Sequence, residues 1–381
     1  MNPMPDQVQY TLVAQPAELA ALASHLLENP LVAVDTESNS LYAYRERVCL
    51  VQFSTPRQDY LVDTLALADL APLAAVFAST EIEKVFHAAE YDIICLKRDY
   101  QFTFANLFDT MQAARILGIK EVGLGSLLET EFGILQDKRF QRANWGERPL
   151  PRTLLEYAAS DTHSLIPLRE LLKNRLVEKG LWELALEDFQ RLCSTAVPAE
   201  NGKQPCWKVS SARKLAPREM AVLNELCNFR EHLARDLDRP AFKVFGNDTL
   251  LELATICPET KKELMAIRGL SPRLVDRFSQ GLLQAIRRGR QAEPPKRNHQ
   301  PRPSQAYLDR LERLKNWRKE AARKMGVESD IILPRELLET LAARNPRDGS
   351  ELAQIMEKLP WRLEHFGSQI LKTINQEVES T

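Results

Sequence analysis

LVAVDTES, residues 31–38, opens with four apolar residues and closes with two acids two positions apart. The run Leu31 to Val34 suits a strand buried on both faces, as in the middle of a sheet. Side chains two apart on a strand share a face, so Asp35 and Glu37 point the same way at the end of that strand. An Asp-x-Glu pair alone is weak evidence of a site, since acids at this spacing are common on solvent-facing strands. Its position after a core-like strand gives it weight, because it places charge at the rim of a sheet.

Working outward, VCLVQFS (48–54) and DYLVD (59–63) are separated by the turn-like TPRQ. With residues 31–38 they predict three close strands in an antiparallel meander. The pattern next predicts a helix over about 65–78, a short strand over 84–87 and a helix over 89–98. Helical spacing continues to about Phe189. The order βββαβα followed by helices implies an α/β unit with a mixed sheet covered by helices.

Two further segments carry candidate chemistry. Asp92 falls in the first turns of the helix predicted from Ala89, where an acid is also favoured by the helix dipole alone. Tyr157 and Asp161 are four apart on a predicted helix and share a face, a pattern that an amphipathic helix with a half-buried tyrosine also explains. If the segments converge, their carboxylates suit two hard divalent cations, and paired cations at a phosphate serve phosphodiester hydrolysis.

The chain has 381 residues, enough for two to four domains. Hydrophobic content of 44% and charged content of 27% are ordinary for globular protein. No apolar run approaches the roughly 18 residues of a membrane span, and MNPMPDQ lacks the pattern of a signal peptide. No membrane role and a cytoplasmic address are therefore expected. The six cysteines form no C-x-x-C pair and no zinc spacing, so reduced packing cysteines are expected.

A net charge of −1 conceals a division. Residues 1–200 hold 28 acidic and 18 basic residues, a balance of −10, whereas residues 201–381 hold 24 and 33, a balance of +9. Residues 287–324 alone carry 13 basic against 4 acidic residues, among them Arg287, Arg288, Arg290, Lys296, Arg297 and Arg302. Such a run is either a phosphate footprint or a solvated linker and helix face.

The second half also repeats itself at a constant offset of 88 residues: Leu223, Arg230, Ala254, Pro258, Pro272 and Ile286 recur as Leu311, Arg318, Ala342, Pro346, Pro360 and Ile374. Apolar positions in each copy follow helical spacing, which predicts two small all-α domains. RGRQAEPPKRNHQPRPS between them reads as an extended linker, and TAVPAENGKQPCWKVSS marks a second boundary. The expected domains are 1–205, 214–290 and 304–376.

Taken together, LVAVDTES, VFHAAEYDIICL and LLEYAASDTHSL resemble the DEDD superfamily of 3′→5′ exonucleases. The tyrosine four before the last aspartate points to one subclass, and the most similar family within it is ribonuclease D. VCLVQFSTPRQDYLVDTL, LFDTMQAARILG and DKRFQRANWGERPL support the match over about residues 8–190. Each copy of the repeat resembles an HRDC domain, a helical nucleic-acid-binding module.

The resemblance implies a ribonuclease H-like mixed sheet followed by two small all-α HRDC domains. It implies that Asp35, Glu37, Asp92 and Asp161 hold two divalent cations, Mg²⁺ or Mn²⁺, with Tyr157 orienting the attacking water. The implied function is hydrolysis of terminal phosphodiesters at RNA 3′ ends, releasing 5′-monophosphates, with tRNA precursors as substrates and no obligate protein partner. Alternatives are a DNA 3′→5′ exonuclease in repair, or a non-catalytic RNA-binding protein. Five intact motif residues argue against the last.

Two departures from the pattern stand out. His87 takes the place of an asparagine usual in proofreading DNA exonucleases, and Ser38 that of an aromatic found in some ribonuclease D sequences. In the first repeat, IRGLSPRLVDRF resembles a hairpin whose amides can meet a phosphate. The second reads IMEKLPWRLEHF, without the glycine, which suggests a more architectural role.

Overall fold

The computed structural model describes residues 9–198, 209, 212–295 and 302–376. Lys296 and Arg297 of the basic run, Cys206 and most of the 195–212 boundary lie outside the described residues.

Six strands form one mixed sheet: β1 (Tyr10–Val13), β2 (Leu31–Ser38), β3 (Val48–Ser54), β4 (Asp59–Asp63), β5 (Glu83–Phe86) and β6 (Leu107–Asp109), in the order β1-β4-β3-β2-β5-β6. The meander expected from LVAVDTES onward is present, since β2–β3 and β3–β4 pair antiparallel. The remaining pairs, β1–β4, β2–β5 and β5–β6, are parallel. Val32, Ala33 and Val34 have no exposure, as a central strand requires.

Among the described residues eight helices surround the sheet: α1 (Pro16–Leu27), α2 (Ala74–Ala78), α3 (Glu90–Tyr100), α4 (Thr110–Ile116), α5 (Leu124–Phe132), α6 (Arg152–His163), α7 (Leu165–Glu178) and α8 (Trp182–Cys193). The helix expected over 65–78 is shorter than its apolar spacing suggested. Asp69 Oδ1 accepts from Ala71 N, and Pro72 then starts a single 3-10 turn, Ala71–Leu73, before α2. Proline disfavours helix in the residue ahead of it, which ends the pattern there.

The repeat appears as two sets of five helices. The first is α9 (Pro217–Asp236), α10 (Ala241–Val244), α11 (Asn247–Ile256), α12 (Lys261–Ala266) and α13 (Pro272–Gln291). The second is α14 (Gln305–Met325), α15 (Ser329–Ile332), α16 (Arg335–Arg344), α17 (Gly349–Ile355) and α18 (Pro360–Asn375). Polar details repeat as well: Arg230 donates to Phe245 O at 3.0 Å, and Arg318, 88 residues on, donates to Leu333 O at 2.9 Å. Each set has its own apolar core.

The second set is fused to the sheet unit. Ile331 belongs to the main core around the sheet, and Trp361 packs against it. Beside them Arg362, fully buried, donates to Glu187 at 2.8 Å and Asp188 at 2.9 Å on α8. The first set meets the sheet unit through the β2–β3 loop, where Tyr44 N donates to Asp238 and the Lys243 ammonium lies 4.0 Å from the Tyr42 ring.

Among the described residues no helix is long and apolar enough to cross a membrane. Cys49, Cys95, Cys193 and Cys257 carry free thiols. Cys227 is disulfide-bonded, which corrects the expectation of reduced cysteines at that position.

Candidate active site

The acids at the end of β2 meet α6. One carboxylate oxygen each from Asp35, Glu37 and Asp161 lies within 4.8 Å of the others. The alternation of β2 puts Asp35 and Glu37 on one face, and α6 crosses that face, presenting Asp161 from its third turn. These acids open into a cavity of about 460 Å³ lined also by Thr36, His87, Ser126, Gln136, Gln141 and Tyr157.

Asp92 comes to the site from the first turn of α3. Thr36, between the paired acids in sequence, points away from them and donates its hydroxyl to Asp92 Oδ1 on α3. Asp92 is not among the three acids whose oxygens lie within 4.8 Å of one another. Burial, and then the charge of Asp35, raises its carboxyl well above the ordinary carboxylate range.

Crowding dominates the electrostatics. Burial pushes Asp35 well above the ordinary carboxylate range, and the charge of Asp161 adds to it. Glu37 is raised by burial and then by Asp35, Asp161 and Asp92. Asp161 is raised by burial to about 7, although hydrogen bonds from Tyr157 and Gln136 act the other way. Such a cage is unfavourable when its members ionise together without a cation, and an oxygen-only donor set of this kind suits a hard divalent ion. The residues thus fit the metals that the family pattern implies.

Tyr157 stands beside Asp161, and burial followed by the charges of Asp161, Glu37 and Asp35 keeps its hydroxyl protonated. Its ring is held between Phe140 and Trp145, with ring centroids at 5.7 and 6.3 Å. Trp145 is 1% exposed, an anchor for its loop rather than a stacking surface for substrate.

Arg148, the arginine of WGERPL, is committed inward. It bonds both oxygens of Asp63 at 2.7 and 2.8 Å, and the carbonyls of Cys49 and Trp145. His163 turns away from the acids to Asp59, at 2.7 Å. In the basic run, Arg288 pairs with Glu225 and Arg290 with Glu259.

Sequence reading missed Thr36 and Gln136, whose Nε2 donates to Asp161 Oδ1 at 3.1 Å. Thr36 was legible in principle, as the residue alternating between two acids. Gln136 had no signal, because only the return of the loop after α5 brings it over α6.

The 3′-5′ exonuclease family matches residues 10–177, and the HRDC domain family matches twice, at 219–286 and 308–374. Ribonuclease D of Acidiphilium cryptum is 30% identical over 380 residues, covering 98% of this chain and 95% of the relative. The chain belongs to the ribonuclease D family. It is accordingly an exoribonuclease with a 3′-5′ exonuclease unit ahead of an HRDC region. Protein RRP6-like 2 of Arabidopsis thaliana is also 30% identical, over 306 residues and 76% of this chain, but the match spans 35% of that longer protein. Among solved structures, ribonuclease D of Escherichia coli shares the fold, with a TM-score of 0.69 at 22% identity over 96% of this chain and 99% of its own.

Proposed function

We propose that Asp35, Glu37, Asp92, Tyr157 and Asp161 form the catalytic centre of a 3′→5′ exoribonuclease that trims structured RNA, with tRNA precursors as its substrates. The observation that carries this reading is the convergence of Asp35, Glu37 and Asp161 oxygens within 4.8 Å of one another beside Tyr157, in an open cavity.

In this reading Asp35, Glu37, Asp92 and Asp161 hold two divalent cations, Mg²⁺ or Mn²⁺. When bound, these supply an activated water and neutralise charge on the scissile phosphate. Asp35, whose charge is felt by both Glu37 and Asp92, would be the acid shared between the ions. Glu37 and Asp161 would complete the set beside Tyr157, and Asp92 would contribute from α3. Tyr157, kept protonated, donates its hydroxyl hydrogen toward the attacking water and orients it. Its aromatic neighbours limit its swing, which is how positioning lowers a barrier. The leaving 3′ oxygen takes up a proton, and a 5′-monophosphate departs.

Within the same proposal residues 1–205 form the exonuclease domain and 214–290 and 304–376 the two HRDC domains. The basic balance of residues 201–381 supports an RNA-binding role for that half.

The test is incubation of 5′-labelled tRNA precursor with the full chain and Mg²⁺ or Mn²⁺, beside a DNA strand of matched sequence. Stepwise shortening from the 3′ end of the RNA, abolished in Asp35→Asn, is the expected result. Internal cleavage, equal action on both strands, or an undiminished Asp35→Asn protein would overturn it.

A further inference from the structure

Gln52 sits in the middle of β3 with no exposure, yet neither its Nε2 nor its Oε1 has a hydrogen-bond partner. The large majority of buried side-chain polar atoms are hydrogen-bonded, so an orphaned amide calls for a partner beyond the protein's own contacts.

Its surroundings identify that partner. Gln52 stands directly opposite Asp35 in the β2–β3 ladder. Residues so placed share a face, with Cβ atoms about 5 Å apart. The same-face neighbours of Gln52 along β3 are Leu50, which clusters with Ala158 and Ala159 of α6, and Ser54, whose hydroxyl bonds Thr162 on α6 at 2.6 Å. Gln52 is therefore bracketed under the helix that carries Asp161, on the flank of the cage that Asp35 occupies. On β4 its directly opposite residue is Leu61. Packing alone would favour leucine or methionine here, because an unpaired amide is costly to bury.

We propose that Gln52 is a positioning residue for the metal site. With cations in the cage, its Nε2–H donates to the Asp35 carboxylate and holds it in the ligating orientation. This rests on the reading of Asp35, Glu37 and Asp161 as metal ligands. Gln52 touches neither substrate nor cation and acts through Asp35. Supporting hydrogen bonds of this kind are worth about 10- to 100-fold in metal affinity. Within the protein the amide makes no side-chain hydrogen bond, so its replacement by an apolar side chain should leave the ion-free fold as firm or firmer.

Calorimetric titration of Mn²⁺ into the full-length protein, Gln52→Leu and Asp35→Asn, with thermal unfolding of each ion-free form, tests this. Expected are binding by the parent, loss of binding in Asp35→Asn, and roughly tenfold weaker binding in Gln52→Leu at an unchanged or higher ion-free Tm. RNA shortening by Gln52→Leu should recover at raised Mn²⁺ with the KM for RNA unchanged. Mn²⁺ affinity of Gln52→Leu within twofold of the parent overturns the proposal, whatever its Tm, and makes Gln52 a spacer. A parent that takes up no Mn²⁺ overturns the metal reading itself. Should Gln52→Leu not fold, Gln52→Met is judged by the same criteria.

Discussion

At the scale of single residues, the site is a set of acids held in a place that resists their charge. Replacing Asp35 by asparagine removes the acid proposed as a shared ligand and should lower kcat at least about a hundredfold. It should also raise the Tm of the metal-free protein, because a buried like charge is gone; both are read by RNA shortening assays and calorimetry. Tyr157→Phe keeps the ring between Phe140 and Trp145 and loses only the hydroxyl, so kcat should fall up to about a hundredfold with KM for RNA nearly unchanged. An equal loss in Tm and affinity would make Tyr157 a packing residue. A carboxyl raised by the fold binds its proton more tightly folded than unfolded. The cluster's contribution is thus whole below about pH 4 and is lost as pH rises toward the folded value, about 7 for Asp161. In chelator, Tm should fall over that interval, and the gain in Tm on adding Mn²⁺ should grow between pH 5 and 7.5. A gain constant with pH would contradict this. Asp35, Glu37, Tyr157 and Asp161 were legible because strand and helix periods fix which neighbours share a face. Gln52 was not, since a glutamine inside VCLVQFS reads as an ordinary strand residue until its missing partner is seen.

Among the elements, the one whose placement most needs explaining is α3, which delivers Asp92. It begins after Ala88, a residue at φ 61° that an L-residue adopts at a cost. Asp109, at the end of β6, compensates: its carboxylate accepts from Ala88 N at 3.1 Å, Ala89 N at 2.8 Å and Gln112 N at 3.0 Å. One buried side chain thereby ties the start of α3 to the start of α4. Asp109→Ala should destabilise the protein by about 1–3 kcal/mol in urea unfolding, through a lost cap and the amides of Ala88 and Ala89 left bare. It should weaken Mn²⁺ binding too, since Asp92 then loses its setting; intact metal affinity would restrict Asp109 to a stability role. The strands of the meander were readable from their own composition. β6 was not, because three residues, LFD, hold no period, and only pairing with β5 makes them a strand. Nor was β1, an edge strand whose parallel partner β4 lies far along the chain.

For the molecule as a whole, two similar modules are attached in dissimilar ways. Arg362, Trp361 and Asp330 make polar contacts of the second module with the sheet unit. The residues 88 earlier are Leu274, Arg273 and Phe242, which cannot reproduce an ion cluster of that kind. The second module thus has a buried docking face and the first a lighter one through Tyr42 and Tyr44. Removing one partner of a buried ion cluster leaves charge uncompensated, so Arg362→Ala should cost about 3–5 kcal/mol in urea unfolding. Replacing Leu274 by alanine should affect only the first module's own core. If Arg362→Ala cost less than about 1 kcal/mol, the second module would be loosely attached. The missing glycine had hinted at an architectural second copy. In the first copy Gly269 has φ 85°, and a Cβ there would meet Thr249 Oγ1 at 2.3 Å, so that turn accepts only glycine.

The amino-acid sequence by itself determined the strand order of the meander, the two helical repeats, the reversal of charge between the halves and the acids that share a face. All follow from periods and spacings confined to one segment or to one fixed offset. Tertiary structure decided what depends on distant segments returning to each other. It brought Asp161 to within 4.8 Å of Asp35, placed Asp92 beside Thr36, left Gln52 unpaired beside Asp35, and buried Arg362 against α8. The physical reason is that burial and charge proximity belong to the folded packing, and no local pattern in a chain specifies which remote group will fill the space beside a side chain.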